Sequence, residues 1–195
     1  MLKPFFAFEG IDGAGKSLQL KHCAKALQEM GVSVVTTCQP SHLAIGKLIR
    51  DALVNKLDFE ETTLALLFAA DRLEHLKEIE SQLTDSLVLT DRYLLSSLAY
   101  NASALDKAWI ESINRYATLK PKKTFLFDLD PKIALERIQK SRTTTEHYEN
   151  LSHLEVIRQH YLDYAKVDES IILIDATKPI TTLTDEIIKH IKPYL

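Results

Sequence analysis

The residues Gly10-Ile11-Asp12-Gly13-Ala14-Gly15-Lys16-Ser17 fit G-x-x-x-x-G-K-[ST] at every fixed position. That spacing is suited to gripping phosphate. The glycines let the chain curl so that consecutive N–H groups point inward at phosphate oxygens. A helix beginning at the end of the loop adds unpaired donors and the positive end of its dipole. Lys16 is then set to reach the β and γ phosphates of a nucleoside triphosphate, and the Ser17 hydroxyl to ligate Mg²⁺. A carboxylate near the metal and its waters completes such a site. Asp91 ends the apolar run Leu87-Val88-Leu89-Thr90, where that acid belongs. Arg92 follows it with a planar, permanently charged fork that can hold two phosphate oxygens. Its other readings are a salt bridge to Asp91 or a surface charge.

These groups need a strand before the loop and a helix after it. Phe5-Phe6-Ala7-Phe8-Glu9 is a short apolar run suited to a buried strand, and Leu18 to Met30 carries apolar residues at helical spacing. Four further runs read as buried strands: Val32 to Thr37, Leu87 to Thr90, Thr124 to Leu129 and Ile171 to Asp175. Helical patterns separate them. The expectation is an α/β single-domain P-loop NTPase fold over residues 1–195, with a five-stranded parallel sheet and helices on both faces. Gly31 is placed to stop the first helix. Ligands in such sheets lie beyond the carboxyl ends of the strands. Polar groups gather at those ends: Gln39-Pro40-Ser41-His42, Asp91-Arg92-Tyr93 and Asp175-Ala176-Thr177-Lys178.

Two other stretches could touch a nucleotide. Phe68 and Arg72 are four apart on a helical pattern and share a face. Together they could stack on and hydrogen-bond a base; alternatively Phe68 is core and Arg72 pairs with Asp71 or Glu74. Lys140-Ser141-Arg142-Thr143-Thr144-Thr145-Glu146 is basic and polar between two helices. It reads as a short lid over about 140–147 that closes on a transferring phosphate, or as a solvated loop.

The formal net charge of −3 argues against nucleic acid as a partner. Cys23 and Cys38 lack metal-ligand or C-x-x-C spacing and read as reduced, which fits a cytoplasmic location. The seven histidines form no metal pattern. No apolar run approaches a membrane span. Met1-Leu2-Lys3-Pro4 leads straight into the first strand, which argues against a cleaved secretion signal.

The chain resembles the thymidylate kinase family over nearly its whole length. Phe8 to Ser17 is similar to that family's F-E-G-x-[DE]-G-x-G-K-[ST] opening. Leu67-Phe68-Ala69-Ala70-Asp71-Arg72 is similar to its L-F-x-A-x-R helix, and Asp91 to Tyr100 to its D-R-Y-x-x-S-x-x-A-[YF] segment, the most specific of these matches. Glu146-His147-Tyr148-Glu149 resembles the element after the lid. The resemblance implies transfer of the ATP γ-phosphate to dTMP, with Mg²⁺, and a homodimer. It implies that Gly10 to Leu18 hold ATP, that Ser17 and Asp91 serve the metal, and that Lys16, Asp91 and Arg92 act in the transfer. Phe68 and Arg72 would hold thymine, Ser96 would line the base pocket, Asp12 would lie near the sugar 3′-hydroxyl, and Tyr100 and Tyr148 would crowd the 2′ position. The P-loop offers no arginine, so a further cation is expected from Arg142 or, failing that, Arg137.

Three positions depart from the family pattern. The segment after the second strand, Cys38-Gln39-Pro40-Ser41-His42, lacks the usual arginine for the monophosphate, and its nearest basic group is His42. Loss of a charged phosphate ligand weakens binding by about 1.5–3 kcal/mol. Leu18 follows the P-loop serine in place of threonine, and His147 replaces an arginine. A same-fold kinase with another nucleoside monophosphate acceptor, or an impaired nucleotide-binding relative, are the alternatives. A signalling GTPase fits less well, because no N-K-x-D element is present.

Overall fold

All five residues of β1 (Phe5–Glu9) are buried, as an apolar run without alternation requires of a central parallel strand. The computed structural model describes residues 2–54, 56–141 and 150–195. Behind β1 come α1 (Lys16–Glu29), β2 (Val34–Cys38), α2 (Ala44–Leu53), α3 (Glu61–Gln82) and β3 (Leu87–Asp91). The chain continues through α4 (Leu94–Tyr100), a 3₁₀ turn, α5 (Lys107–Ile113), β4 (Lys123–Asp128) and α6 (Pro131–Ser141). It finishes with α7 (Leu151–Val167), β5 (Ile171–Asp175), α8 (Ile180–Ile191) and a last 3₁₀ turn. The five strands form one parallel sheet in the order β2-β3-β1-β4-β5, the expected α/β class.

Because successive side chains alternate, β1 feeds two layers. Phe6 and Phe8 join a large cluster with Leu20, Leu27, Phe125, Phe127 and Ile187. Phe5 and Ala7 pack with Leu76, Ile79, Val88 and Tyr93. Three strands differ in their limits from the sequence expectation: β3 takes in Asp91 as well, and β2 and β4 shift. β2 begins at Val34 rather than Val32, because the N–H groups of Gly31 and Val32 are still bonded to the last turn of α1, at Gln28 and Leu27. Gly31 has a φ of 81°, the left-handed value of a helix-ending glycine. β4 runs from Lys123 to Asp128, leaving Leu129 buried just outside it.

Strand order decides where a ligand can sit. From β1 the chain passes to β2 and β3 on one side and then crosses to β4 and β5 on the other, which opens a crevice at the carboxyl end of β1. The register sets the neighbouring strand ends level. Asp91 pairs with Phe8 on one side and with Cys38 on the other.

Candidate active site

The loop between β1 and α1 needs its glycines. Gly10 and Gly13 have φ of 139° and 78°. A Cβ on Gly10 would stand 2.6 Å from the Phe127 carbonyl oxygen, and one on Gly13 would strike the Ala134 carbonyl. The loop therefore lies pressed against β4 and α6. The N-cap of α1 is Gly15, which has no side chain to satisfy the first N–H groups of the helix. Lys16 is buried, and its ammonium donates to the Ile11 carbonyl at 2.8 Å. Burial, and then the nearby charge of Arg92, push its pKa down to about 8, against the pull of Asp12, Asp91 and Glu9.

The Ser17 hydroxyl donates to Asp91 Oδ2. The other carboxylate oxygen, Oδ1, is buried without a hydrogen-bond partner among the described residues. A hydroxyl beside an under-used carboxylate is a hard oxygen donor set of the kind Mg²⁺ takes. No cluster of three or more His, Cys, Asp or Glu that could hold a metal occurs among the described residues. The pair thus fits an ion completed by phosphate oxygens and water.

Arg92 is the centre of the polar network. Its backbone has a φ of 69°, a value non-glycine residues adopt at a cost of about 1–2 kcal/mol. β1 holds that conformation: the Arg92 N–H donates to Phe8 O at 2.9 Å, and the Tyr93 N–H to Glu9 Oε1 at 2.8 Å. The guanidinium donates to Asp12 Oδ1 at 2.6 Å, to the Tyr100 hydroxyl at 3.0 Å and to Ser96 Oγ at 3.0 Å, and it lies over the Tyr100 ring. Burial opposes its charge, but Asp12, then Tyr100, Tyr161 and Asp91, hold its pKa well above the ordinary value. For Asp12, burial would raise the pKa; Arg92 and Lys16, helped by the Tyr100 hydroxyl, bring it down to about 2.

Glu9 anchors this arrangement from below. It is fully buried and takes four donors: the N–H groups of Tyr93 and Ser96, the Ser96 hydroxyl at 2.6 Å and the Tyr161 hydroxyl at 3.0 Å. Burial pushes its pKa up against those donors. Sequence reasoning read Glu9 only as a strand end. A carboxylate closing a wholly apolar buried strand was the available signal.

Two clefts meet here. One, of about 510 Å³, runs along Gly13 to Gln19 to Arg137, Ala176, Lys178 and Ile180. The other, of about 380 Å³, is lined by Gln39, Pro40, Arg50, Phe68, Arg72, Asp91, Arg92, Ser96, Ser97, Tyr100 and Asn101. Asp12 and Ser17 line both. The predicted residues Asp12, Phe68, Arg72, Arg92, Ser96 and Tyr100 are thus brought together in one cleft. Leu18 lines the P-loop cleft. Arg137 is there too, donating to the Ala176 carbonyl at 3.3 Å, at the β5 end of the cleft. Arg142 and Tyr148, with His147 and the lid beyond Ser141, lie outside the described residues.

Arg72 has other partners than the neighbour the sequence offered. It does not pair with Asp71, whose carboxylate takes the Ser41 N–H and hydroxyl. Arg72 is buried and donates to Asn114 Oδ1, to Ser97 Oγ at 2.7 Å and to Tyr93 O at 3.3 Å. Burial pushes its pKa down to about 10. Ser97, not Ser96, is therefore the serine against Arg72; Ser96 faces Glu9 and Arg92.

The structure does not bring His42 to the cleft. Its side chain is 69% exposed and stands 3.4 Å from Glu78. The basic group at that end of the cleft is Arg50, which sequence reasoning missed. α2 sets Gly46 against the backbone of Ser41, where any side chain would collide. Arg50, one turn later on the same face, reaches back to the carbonyls of Pro40 at 3.0 Å and Ser41 through Nη1. Gly46 and Arg50 at i, i+4 was the only signal, and it has meaning only once the docking of α2 is known.

Comparison with known proteins agrees with this geometry. The family described as "Thymidylate kinase" matches residues 8–187. A "Probable thymidylate kinase" of Methanocaldococcus jannaschii is 42% identical over 190 residues, covering 96% of this chain and 95% of that protein. A "Thymidylate kinase" of Geobacillus sp. is 39% identical over 188 residues, covering 90% of each. One from Methanosphaera stadtmanae, "Probable thymidylate kinase", is 36% identical over 197 residues, covering 98% of each. With the P-loop, the Asp91-Arg92 corner and the Phe68–Arg72 cleft assembled on the expected sheet, the chain belongs to the thymidylate kinase family.

Proposed function

We propose that the chain transfers the γ-phosphate of ATP to dTMP, giving dTDP. The observation that carries this reading is the meeting of the two clefts at Asp12 and Ser17. A triphosphate gripped by the P-loop would end where the second cleft begins. Its terminal phosphate would then face an acceptor rather than bulk water. Ser17 and Asp91 would hold Mg²⁺, which when bound neutralises phosphate charge. Lys16 and Arg92 supply fixed positive charge where the transition state spreads negative charge. The acceptor phosphate is already anionic, so no strong base is needed. Phe68 would stack on the base, with Arg72, Ser97 and Asn101 around its edge, and Asp12 and Tyr100 would face the sugar. A coupled assay with ATP and Mg²⁺ across deoxy- and ribonucleoside monophosphates tests the reading. dTMP is expected to dominate; binding of ATP without turnover of any monophosphate would refute it.

Arg50 supports dTMP binding despite the missing arginine after β2. Arg50→Ala is expected to raise KM for dTMP about tenfold while changing kcat less than about threefold, in steady-state kinetics. An unchanged KM would remove Arg50 from the acceptor site.

For the donor, the bond from Arg137 to Ala176 supports a place beside the ATP base, two strands away from β1. Arg137→Ala should raise KM for ATP by about tenfold with little loss of kcat, whereas Arg142→Ala should lower kcat more than ATP affinity. A fall in kcat on Arg137→Ala, with none on Arg142→Ala, would exchange the two roles. A homodimer and a cytoplasmic location complete the proposal. No helix among the described residues is long and apolar enough to cross a membrane.

A further inference from the structure

Besides Asp91 Oδ1 on the metal side, three buried polar side-chain atoms on residues lining the acceptor cleft have no hydrogen-bond partner among the described residues: Arg72 Nε, Gln39 Oε1 and Asn101 Nδ2. Leaving such atoms unsatisfied costs about 1–3 kcal/mol each, so they are expected to have partners when a ligand is bound. By type they are donor, acceptor and donor. The edge of an imide base offers the complement: a carbonyl, the N3–H and a second carbonyl. A cytosine edge offers an amino group, a bare N3 and one carbonyl, which leaves Gln39 Oε1 facing a lone pair.

The acceptor among the three is the informative one, because an amide can present either end. In the orientation present, the amide nitrogen is turned toward His75. Gln39 Nε2 lies 3.3 Å from His75 Nδ1, and His75 Nε2 lies 2.7 Å from Thr37 Oγ1. An amide N–H₂ can only donate, so Nδ1 must be the bare nitrogen and Nε2–H donates to Thr37. The ring is then neutral. It fixes the Gln39 amide by its nitrogen and leaves the oxygen over. His75 is buried, and the groups facing it are Asp71, Arg72 and Glu78 of α3 and His42 of the β2–α2 connection. Burial pushes its pKa down, with Asp71 and Glu78 opposing and His42 and Arg72 assisting, so the neutral form is the resting one at neutral pH.

We propose that Gln39 is a specificity-determining residue of the acceptor cleft: its Oε1 accepts the N3–H of an imide base, and His75 sets the amide in that orientation. The inference rests on the acceptor reading given above. His75 is a positioning residue. Protonation at Nδ1 would turn the amide about and present N–H₂ to the base, which repels N3–H and welcomes a bare N3.

The test measures kcat/KM for dTMP, dUMP and dCMP with ATP and Mg²⁺. In Gln39→Leu, dTMP and dUMP should fall together by about ten- to a hundredfold, while dCMP changes less than about threefold. In Gln39→Glu, which keeps an acceptor, the dTMP-to-dCMP ratio should stay within about threefold of wild type. In wild type that ratio should hold at neutral pH and decline as the pH falls below the ordinary histidine value of 6.5 and His75 takes a proton, and in Gln39→Leu it should be flat. Titration of the nucleotide phosphate cancels in the ratio. Circular dichroism establishes that each variant is folded. An unchanged ratio in folded Gln39→Leu, a collapsed ratio in folded Gln39→Glu, or a pH-independent ratio in wild type would each overturn the inference. If Gln39→Leu does not fold, the other two measurements decide. Wild type that uses no pyrimidine monophosphate would instead overturn the proposed function itself.

Discussion

Arg92→Ala is expected to lower kcat/KM for dTMP on the order of 10³-fold or more, because on the proposed function its guanidinium is a fixed cation between donor and acceptor. Arg92→Lys should recover little. One ammonium cannot reproduce a planar fork that spans Asp12, Ser96 and the Tyr100 hydroxyl. The change should also weaken the fold by about 3 kcal/mol, since it strips a largely buried carboxylate of its ion-pair partner; Lys16 and Tyr100 remain near Asp12 and limit the loss. The pH dependence has a definite sign. In wild type the Asp12 pKa is depressed to about 2 from 3.8. Its stabilising contribution is therefore present above pH 3.8 and is lost as pH falls toward 2. Without Arg92, burial dominates and the folded pKa rises above the unfolded one. The variant then loses stability as pH rises through that raised value. Denaturant melts at acid and neutral pH should show the gap to wild type widening toward neutrality; a pH-independent gap would contradict the ion-pair assignment. Arg92→Gly should be more stable than Arg92→Ala by about 1 kcal/mol, because only glycine adopts a φ of 69° freely.

Lys16→Ala should abolish measurable transfer, a loss on the order of 10³-fold or more, while the purified protein keeps its helical spectrum. The stability side separates a functional lysine from a structural one. Lys16 is held with a pKa of about 8, down from 10.5, chiefly because its ammonium is buried. A lysine with a depressed folded pKa weakens the fold below that pKa, and the penalty disappears as pH rises to the ordinary value. At neutral pH this cost is about 3 kcal/mol. Lys16→Met should therefore match or exceed the ligand-free wild type in thermal stability. A large fall in Tm would mean that the bond to Ile11 is structural and that the charge serves the fold.

Short-range features of the sequence carried far into this protein. β1 and β5 appear with the limits that their apolar runs suggest, because each run is bounded by polar or turn-forming residues. The Ser17–Asp91 contact joins residues 74 apart. It was nonetheless legible, since a P-loop and a strand-end acid each fix their own backbone locally and the parallel sheet brings their ends level. β2 was misread at its start because Val32, apolar enough for a strand, spends its N–H group on the helix before it.

Other parts of the site had no local trace. Glu9 becomes a hub only when α4 and α7 deliver Ser96 and Tyr161 to it. Arg72 is buried against Asn114, 42 residues away, rather than paired with its neighbour Asp71. His42, the nearest basic group in sequence to the missing arginine, turns toward Glu78, and Arg50 comes to the cleft because α2 rests its glycine on Ser41. Residue order along the chain was enough to assign the parallel α/β sheet and to place the P-loop and the strand-end acid Asp91 side by side. These depend on backbone conformations that a few adjacent residues impose. Which cations line the second cleft, and which of its polar atoms are left without a partner among the described residues, followed from how helices dock on the sheet. Packing between distant segments sets a side chain's partners and its solvent exposure, and no window of neighbouring residues contains that information.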